Sequence, residues 1–102
     1  MHTLVYTPLA EKDLRAINSY IAFDLKAPQT ARKLLGRFET SIKHLRRFPF
    51  AYPLYRSSYP LEDEFRLMPV DNYLVFYVVL DATVEIRRII YAGRDRGAGP
   101  SR

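Results

Sequence analysis

The sequence contains no cysteine, and it has only two histidines and four glycines in 102 residues. Without cysteine the chain has no disulfide, thiolate metal site or cysteine nucleophile, which suits a reducing compartment. The two histidines, His2 and His44, lie far apart and form no HExxH motif, so no metal site is expected. The sequence also lacks a glycine-rich phosphate loop and a serine nucleophile elbow, and it therefore predicts no cofactor.

Long apolar runs are missing as well. No stretch approaches the roughly 20 apolar residues that span a bilayer, and the N-terminus lacks the basic and apolar regions of a signal peptide. These absences predict a cytoplasmic protein that does not enter membranes. Acidic residues are fewer than basic ones, 11 against 16, which gives a formal charge of +5. That charge favours an acidic partner, either nucleic acid or protein, although ordinary solubility charge explains it equally well.

The stretch Phe65–Asp95 organises the chain, because it holds three apolar runs separated by two short polar breaks. The middle run, Tyr73–Leu80, is uncharged at every position, which predicts a strand buried on both faces with Phe76 in the core. The short breaks predict antiparallel hairpins. Pro69 has no amide hydrogen, so the run Phe65–Val70 is predicted to be an edge strand.

The N-terminal half predicts a strand followed by two helices. Leu4–Tyr6 is a short apolar run, after which Thr7 is expected to cap a helix that ends near residues 25 to 27. Helical spacing of apolar residues predicts a second helix over Pro28–Arg47, packed against the first as an antiparallel hairpin. Gly36 in the second helix is expected to let the helices approach closely. Between this hairpin and the strands, residues 48–60 predict an ordered, aromatic loop pinned to the core.

These elements predict one α+β domain, in which an N-terminal strand and a helical hairpin pack on a three-stranded antiparallel meander in one twisted sheet. The exposed face of the second helix is strongly basic. Its cations are Arg32, Lys33, Arg37, Lys43, Arg46 and Arg47, against the single acid Glu39. This face is either an ordinary solvated surface or a docking surface for an acidic partner.

Four passages in this order resemble the RelE/ParE superfamily of bacterial toxins. They are AEKDLRAINSYIA, ARKLLGRFETSIKHLRRFP, FRLMPVDNYLVFYVV and VEIRRIIYAGRD. The resemblance covers residues 3 to 96 and implies the toxin of a type II toxin–antitoxin pair. It also implies a single toxin domain over residues 1–96 and a cognate antitoxin that is acidic and partly disordered. Residues 97–102, GAGPSR, are expected to form a flexible tail because of their composition.

The superfamily has two mechanisms, and the resemblance leaves both open. RelE-like toxins cut mRNA in the ribosome with the RNA's own 2′-hydroxyl as nucleophile, whereas ParE-like toxins poison DNA gyrase without catalysis of their own. The NYLVFY strand, the terminal IIYAGRD and the long helical hairpin are more similar to ParE-like sequences, so gyrase is the preferred target. The alternatives are a ribosome-dependent mRNA endonuclease and a basic adaptor that is not toxic.

If the chain were RelE-like, the resemblance would place its catalytic residues at Arg66, Tyr91, Arg94 and Arg96. Arg66 stands at the position of a catalytic lysine, whereas Met68 and Leu74 replace a second lysine and an arginine. Arg94 and Arg96 flank the position of another active-site arginine, and Tyr91 would replace a missing C-terminal tyrosine. Arg66, Arg94 and Arg96 are also expected to converge on one rim of the sheet as a cationic patch for the antitoxin.

Overall fold

The computed structural model describes residues 1–93 of the chain, so the predicted domain boundary at residue 96 and the tail 97–102 lie outside the described residues. The elements are β1 (Thr3–Tyr6), α1 (Pro8–Ser19), a π-helical turn (Tyr20–Asp24), α2 (Pro28–His44), β2 (Arg66–Val70), β3 (Tyr73–Leu80) and β4 (Thr83–Tyr91). The predicted order of a strand, two helices and three strands is confirmed.

The four strands form one sheet in the order β1-β4-β3-β2. β2, β3 and β4 make the predicted antiparallel meander, and each hairpin turn has two residues between its paired strand ends. Asp71 and Asp81 open these turns at φ of 53° and 54°, a left-handed conformation that aspartate tolerates better than most residues. β1 joins the sheet on the other side and runs parallel to β4.

The helices begin where the sequence predicts and are shorter than predicted. The Thr7 hydroxyl accepts a hydrogen bond from the Ala10 amide at 3.1 Å, so Thr7 is the cap of α1. The last predicted turn of the first helix widens into the π-helical turn. α2 ends at His44, three residues before the predicted Arg47, because the chain there enters a tighter turn closed by bonds such as Leu45 amide to Ile42 carbonyl.

The core lies between the helices and one face of the sheet. On that face of β3, Tyr73, Val75 and Tyr77 are buried, whereas Leu74 and Phe76 on the opposite face are only half-buried. The prediction of a strand buried on both faces is therefore wrong for most of the second face, against which none of the helices within residues 1–93 packs. The fully buried aromatic residue of β3 is Tyr77, whose hydroxyl donates to the Pro49 carbonyl at 2.9 Å.

The loop between α2 and β2 provides the partial cover of the second face. The ring of Tyr55 meets that of Phe76 edge to face, with centroids 5.2 Å apart. The Tyr55 amide donates to the Phe65 carbonyl, and the Leu67 amide donates to the Pro53 carbonyl. These bonds hold the loop along the outer edge of β2, so the predicted ordered loop and the predicted edge strand agree with the structure.

The role predicted for Gly36 is wrong. A methyl group built on Gly36 would meet no atom within 4 Å, so this glycine is not in a close contact between the helices. It lies exposed on the outside of α2. The physical reason is the phase of the helix, since Leu34, Phe38 and Ile42 form the buried stripe of α2 and Gly36 falls outside it.

Candidate functional site

Arg66, the first residue of β2, is held by the loop that precedes it. Its Nη1 donates to the Tyr52 carbonyl at 2.7 Å. Its guanidinium carbon lies 4.9 Å from the centre of the Phe50 ring, within the range of a cation–π contact. Both contacts belong to the fold, so Arg66 fixes the loop against the sheet. A catalytic role would require this side chain to leave at least one of them.

Tyr91, the last residue of β4, lies far from Arg66. Because β2 and β4 both run antiparallel to β3, the start of β2 and the end of β4 are at opposite ends of the sheet. Their partners on β3 are Tyr77 for Arg66 and Tyr73 for Tyr91. Four residues along a strand correspond to about 13 Å, and β3 itself lies between the two. The structure does not bring these two candidate residues together.

Arg94 and Arg96 lie outside the described residues. The strand end that precedes them, Tyr91, is at the opposite end of the sheet from Arg66. The predicted convergence of the three arginines on one rim therefore stays a prediction.

Met68 and Leu74 are the two strand positions that depart from the RelE-like pattern, and both are apolar. Met68 is 1% exposed and belongs to the core. Leu74 is half-buried on the opposite face of the sheet. Neither position offers a group that could bind a phosphate or activate a hydroxyl, and Met68 has no access to a substrate.

Arg87 and Arg88 are neighbours in sequence and form separate ion pairs. The ladder between β3 and β4 is shifted between Phe76 and Tyr77, and this bulge leaves Arg87 without a partner on β3. Arg87 pairs with Glu85 and, at 3.1 Å, with Asp63 of the loop. Arg88 pairs with Asp13 of α1 through two hydrogen bonds of 2.8 and 3.1 Å.

Asp13 connects the helical layer to the sheet, a role that its sequence position does not predict. Besides Arg88, its carboxylate accepts the Ile89 amide at 2.8 Å, and its side chain is only 12% exposed. Burial alone would raise the pKa of Asp13. The hydrogen bonds from Arg88 and Ile89, with the charges of Arg88 and Lys12, outweigh burial and lower that pKa below its ordinary value.

An apolar groove of about 630 Å³ opens between the helical pair and the ends of β3 and β4. We call it the apolar groove; its walls include Ile17, Tyr20, Ile21, Leu25, Leu34, Tyr73 and Tyr91. Tyr20 and Tyr91 are more than half exposed on its rim. Burial, with smaller effects from Tyr91 and Tyr20, raises the pKa of Tyr73 at the floor of this aromatic cluster. Exposed aromatic and aliphatic walls of this kind are typical of a protein-binding surface.

A second groove, of about 610 Å³, lies on the other side of α2, between that helix and β2. We call it the polar groove; it is lined by Lys33, Gly36, Arg37, Thr40 and Ser41 from α2 and by Pro69, Val70 and Asp71. Arg37 donates to Asp71 at 2.6 Å, and this pair lines both grooves. The two grooves are therefore adjacent surfaces divided by one exposed salt bridge.

Within residues 1–93 no cluster of three or more histidine and carboxylate side chains is arranged to hold a metal ion. None of the helices in the same range has both the length and the apolar character needed to cross a bilayer.

Two solved structures are similar to this fold over nearly its whole length. A chain from the chromosomal ParDE toxin–antitoxin system of P. aeruginosa matches with a TM-score of 0.73 and 22% identity, over 89% of this chain and 96% of that one. A chain of the E. coli DinJ–YafQ complex matches with a TM-score of 0.59 and 12% identity, over 90% and 94%. At these identities the similarity establishes the fold.

No curated protein sequence is significantly similar to the chain. The family described as the ParE toxin of the type II toxin–antitoxin system parDE matches residues 4–96, which is almost all of the sequence. The match includes both helices and all four strands except Thr3, and thus every groove and ion pair described above. The chain belongs to the ParE family of toxins of type II toxin–antitoxin systems.

Proposed function

We propose that this toxin arrests growth by inhibiting DNA gyrase in the cytoplasm, and that a cognate antitoxin neutralises it. The observation that carries the proposal is the family match over residues 4–96, because ParE-like toxins poison gyrase whereas RelE-like toxins cut mRNA. The separation of Arg66 from Tyr91 supports the same choice. So does the burial of Met68, since an RNA-cleaving site needs cations and proton-transfer groups close to one phosphate.

The antitoxin part of the proposal is supported by charge and by surface. The P. aeruginosa neighbour belongs to a toxin–antitoxin system, and a net charge of +5 favours an acidic partner here. The apolar groove supplies the area that an amphipathic segment of the antitoxin would bury. An antitoxin that is partly disordered when free orders on this surface, at an entropic cost that the buried apolar area offsets.

Induced expression in a bacterial host, followed by two assays, tests the target. Growth should stop, and purified toxin should inhibit supercoiling by purified gyrase. Mapped 5′ ends of cellular mRNA should remain unchanged. Codon-phased cuts in translated messages together with unaffected gyrase would instead establish the mRNA endonuclease, and normal growth at confirmed soluble expression would support the adaptor.

Two aromatic residues of the π-helical turn test the antitoxin surface. Tyr20 lines the apolar groove, whereas Phe23 does not line it and is 72% exposed. Tyr20→Glu should weaken binding of the protein encoded beside the toxin gene by about tenfold or more, because a charge must then be desolvated in the complex. Phe23→Glu, the matched control, should bind as the wild type does. Equal affinities for all three proteins would place the antitoxin elsewhere.

A further inference from the structure

We propose that the polar groove is a second docking surface, which binds an acidic peptide segment of the antitoxin beside the apolar groove. The proposal rests on the proposed function, which supplies the acidic partner. It is carried by three observations on the groove itself: a glycine that requires no close packing, a lysine that has no carboxylate partner within residues 1–93, and a salt bridge that a second carboxylate can exchange.

Gly36 is the first observation. A glycine inside a helix costs about 1 kcal/mol relative to alanine, because it loses more backbone freedom on folding. No packing contact with the described part of the chain requires the glycine, since a methyl group there would meet nothing within 4 Å. The missing side chain leaves the helix backbone open on the wall of the polar groove. A partner's main chain can therefore approach α2 there more closely than at any position with a side chain.

The side chains around Gly36 suit a carboxylate. Lys33 and Arg37 are one helical turn apart on the same side of α2, with the hydroxyls of Thr40 and Ser41 on the next turn. Among the described residues Lys33 has no carboxylate within 4 Å, unlike Lys43, which pairs with Glu39 at 3.5 Å. Charged donors and hydroxyls together bind a carboxylate more strongly than either group does alone.

The Arg37–Asp71 pair is the third observation. Its side chains are 50% and 39% exposed, so the pair remains in contact with water and contributes little to stability. A carboxylate of the antitoxin can take the place of Asp71 at Arg37 without leaving a buried charge. Because the same pair lines the apolar groove, one antitoxin chain can occupy both surfaces in succession.

The composition of the groove favours a peptide over a nucleic acid. Opposite its two cations the groove has an apolar wall, Pro69 and Val70, which offers a nucleic acid no side-chain donor and suits the apolar side chains of a peptide. Pro69 has no amide hydrogen at the outer edge of β2, so the segment cannot add there as a regular strand. Recognition therefore depends on side chains and on the open backbone at Gly36.

A pair of lysines on α2 provides the first test, with the purified protein encoded beside the toxin gene as the probe. Lys33→Gln should weaken its binding by about tenfold in calorimetric titration, and the loss should shrink as salt rises. Lys43→Gln removes the same charge from the same helix outside the polar groove, and it should change affinity by less than about twofold. Equal losses for the two variants would indicate general charge attraction and overturn the proposal.

Substitutions at Gly36 provide a steric test that does not change charge. Gly36→Gln fills the open position with a residue that favours helix, so the toxin should fold as before while its affinity for the probe falls by about tenfold or more. Gly36→Ala should fall between this variant and the wild type. Wild-type affinity in Gly36→Gln would show that nothing docks over the glycine, and would overturn the proposal.

Substitution of Asp71 tests whether a carboxylate of the antitoxin replaces it at Arg37, because this replacement predicts a gain in affinity. Asp71→Asn removes the competing carboxylate and keeps a side chain that tolerates the positive φ, so affinity should rise by up to about fivefold. The control Glu39→Gln, on α2 but outside the groove, should leave affinity unchanged. If the wild type does not bind the probe at all, the antitoxin part of the proposed function is overturned and this proposal with it. If the wild type binds, and Lys33→Gln, Gly36→Gln and Asp71→Asn all bind with the same affinity, this proposal alone is overturned.

Discussion

The two faces of the sheet are covered in different ways, although the same strand supplies side chains to both. On the helix-covered face, Tyr73, Val75 and Tyr77 of β3 are buried beneath α1 and α2. On the loop-covered face, Phe76 is half-buried against Tyr55, and Leu80 is 42% exposed. The first face excludes water by close packing of regular elements, and the second relies on a single irregular segment.

Polar contacts hold the loop-covered face together where apolar packing is thin. Arg87 bridges Glu85 on the sheet and Asp63 on the loop, and its guanidinium carbon lies 5.5 Å from the centre of the Phe65 ring. Arg66 holds the loop at another point through the Tyr52 carbonyl. Partly exposed ion pairs contribute little energy each. We therefore expect the stability of the domain to come mainly from the helix-covered face.

Truncation of neighbouring aromatic residues on β3 should show the largest difference between the faces. Tyr77→Ala should lower the free energy of unfolding by about 3–5 kcal/mol, because the residue is fully buried and leaves a cavity. Phe76→Ala should cost about 1–2 kcal/mol, in keeping with half burial. Denaturant unfolding of both variants measures the two losses. Equal losses would mean that the loop-covered face is as well packed as the other.

Asp13→Ala should show how firmly the helical layer is fixed to β4. It removes two charged hydrogen bonds and leaves the Ile89 amide unpaired, which should cost about 1–3 kcal/mol at neutral pH. Glu11→Ala, an acid in the first turn of the same helix, is the control and should cost less than about 1 kcal/mol. A loss as small as the control's would show that the Asp13 contacts contribute nothing to holding the layers together.

The effect of Asp13 should also depend on pH in a defined direction. The folded state lowers the pKa of this carboxyl, so its contribution is fully present above the unfolded value of about 3.9. It is lost as pH falls through the lower folded value. Urea unfolding of wild type and Asp13→Ala should therefore differ equally at pH 7 and pH 5 and converge in stronger acid. A difference that persisted unchanged in acid would contradict this account.

Gly36→Ala is expected to stabilise the domain. Gly36 lies on the outer surface of α2, where tertiary packing does not restrict the choice of residue. Alanine should raise the free energy of unfolding by about 1 kcal/mol, since it lowers the entropy of the unfolded chain and meets no neighbour in the folded one. Thermal unfolding measures the gain. Destabilisation would show that the glycine is required within the chain after all.

Asp63→Asn should have the smallest effect, because its ion pair with Arg87 lies on the loop-covered side and is partly exposed. We expect a loss of about 0–1 kcal/mol in unfolding free energy, which should disappear at high salt. Arg87 keeps Glu85 as a partner in the variant. A loss comparable to that of Tyr77→Ala would reverse the ranking of the two faces.

Several features were predictable from the sequence because they depend on neighbouring residues. β3 spans Tyr73–Leu80 as predicted, since polar turn residues directly bound its uncharged run. Thr7 caps α1, and Pro69 marks an edge strand, because one concerns the first helical turn and the other a missing amide hydrogen. The ordered set of such local features was also enough to indicate the toxin superfamily.

Other features depended on contacts between distant parts of the chain. Alternation in β3 shows that Phe76 and Tyr77 face opposite ways, but only the position of the helices makes Tyr77 the buried one. Asp13 and Arg88 meet across 75 positions. The candidate site changed for the same reason, because strand directions separate Arg66 from Tyr91 and helix packing creates the two grooves.

The sequence by itself determined the secondary structure elements, their order and the antiparallel meander, because turns and caps act over a few residues. Only the tertiary structure decided that β1 pairs in parallel with β4, that one face of the sheet is the better buried, and that Gly36 faces solvent. The physical reason is that hydrophobic burial is non-directional. Apolar patterning identifies surfaces that must be covered, and the assembled chain decides which element covers each one.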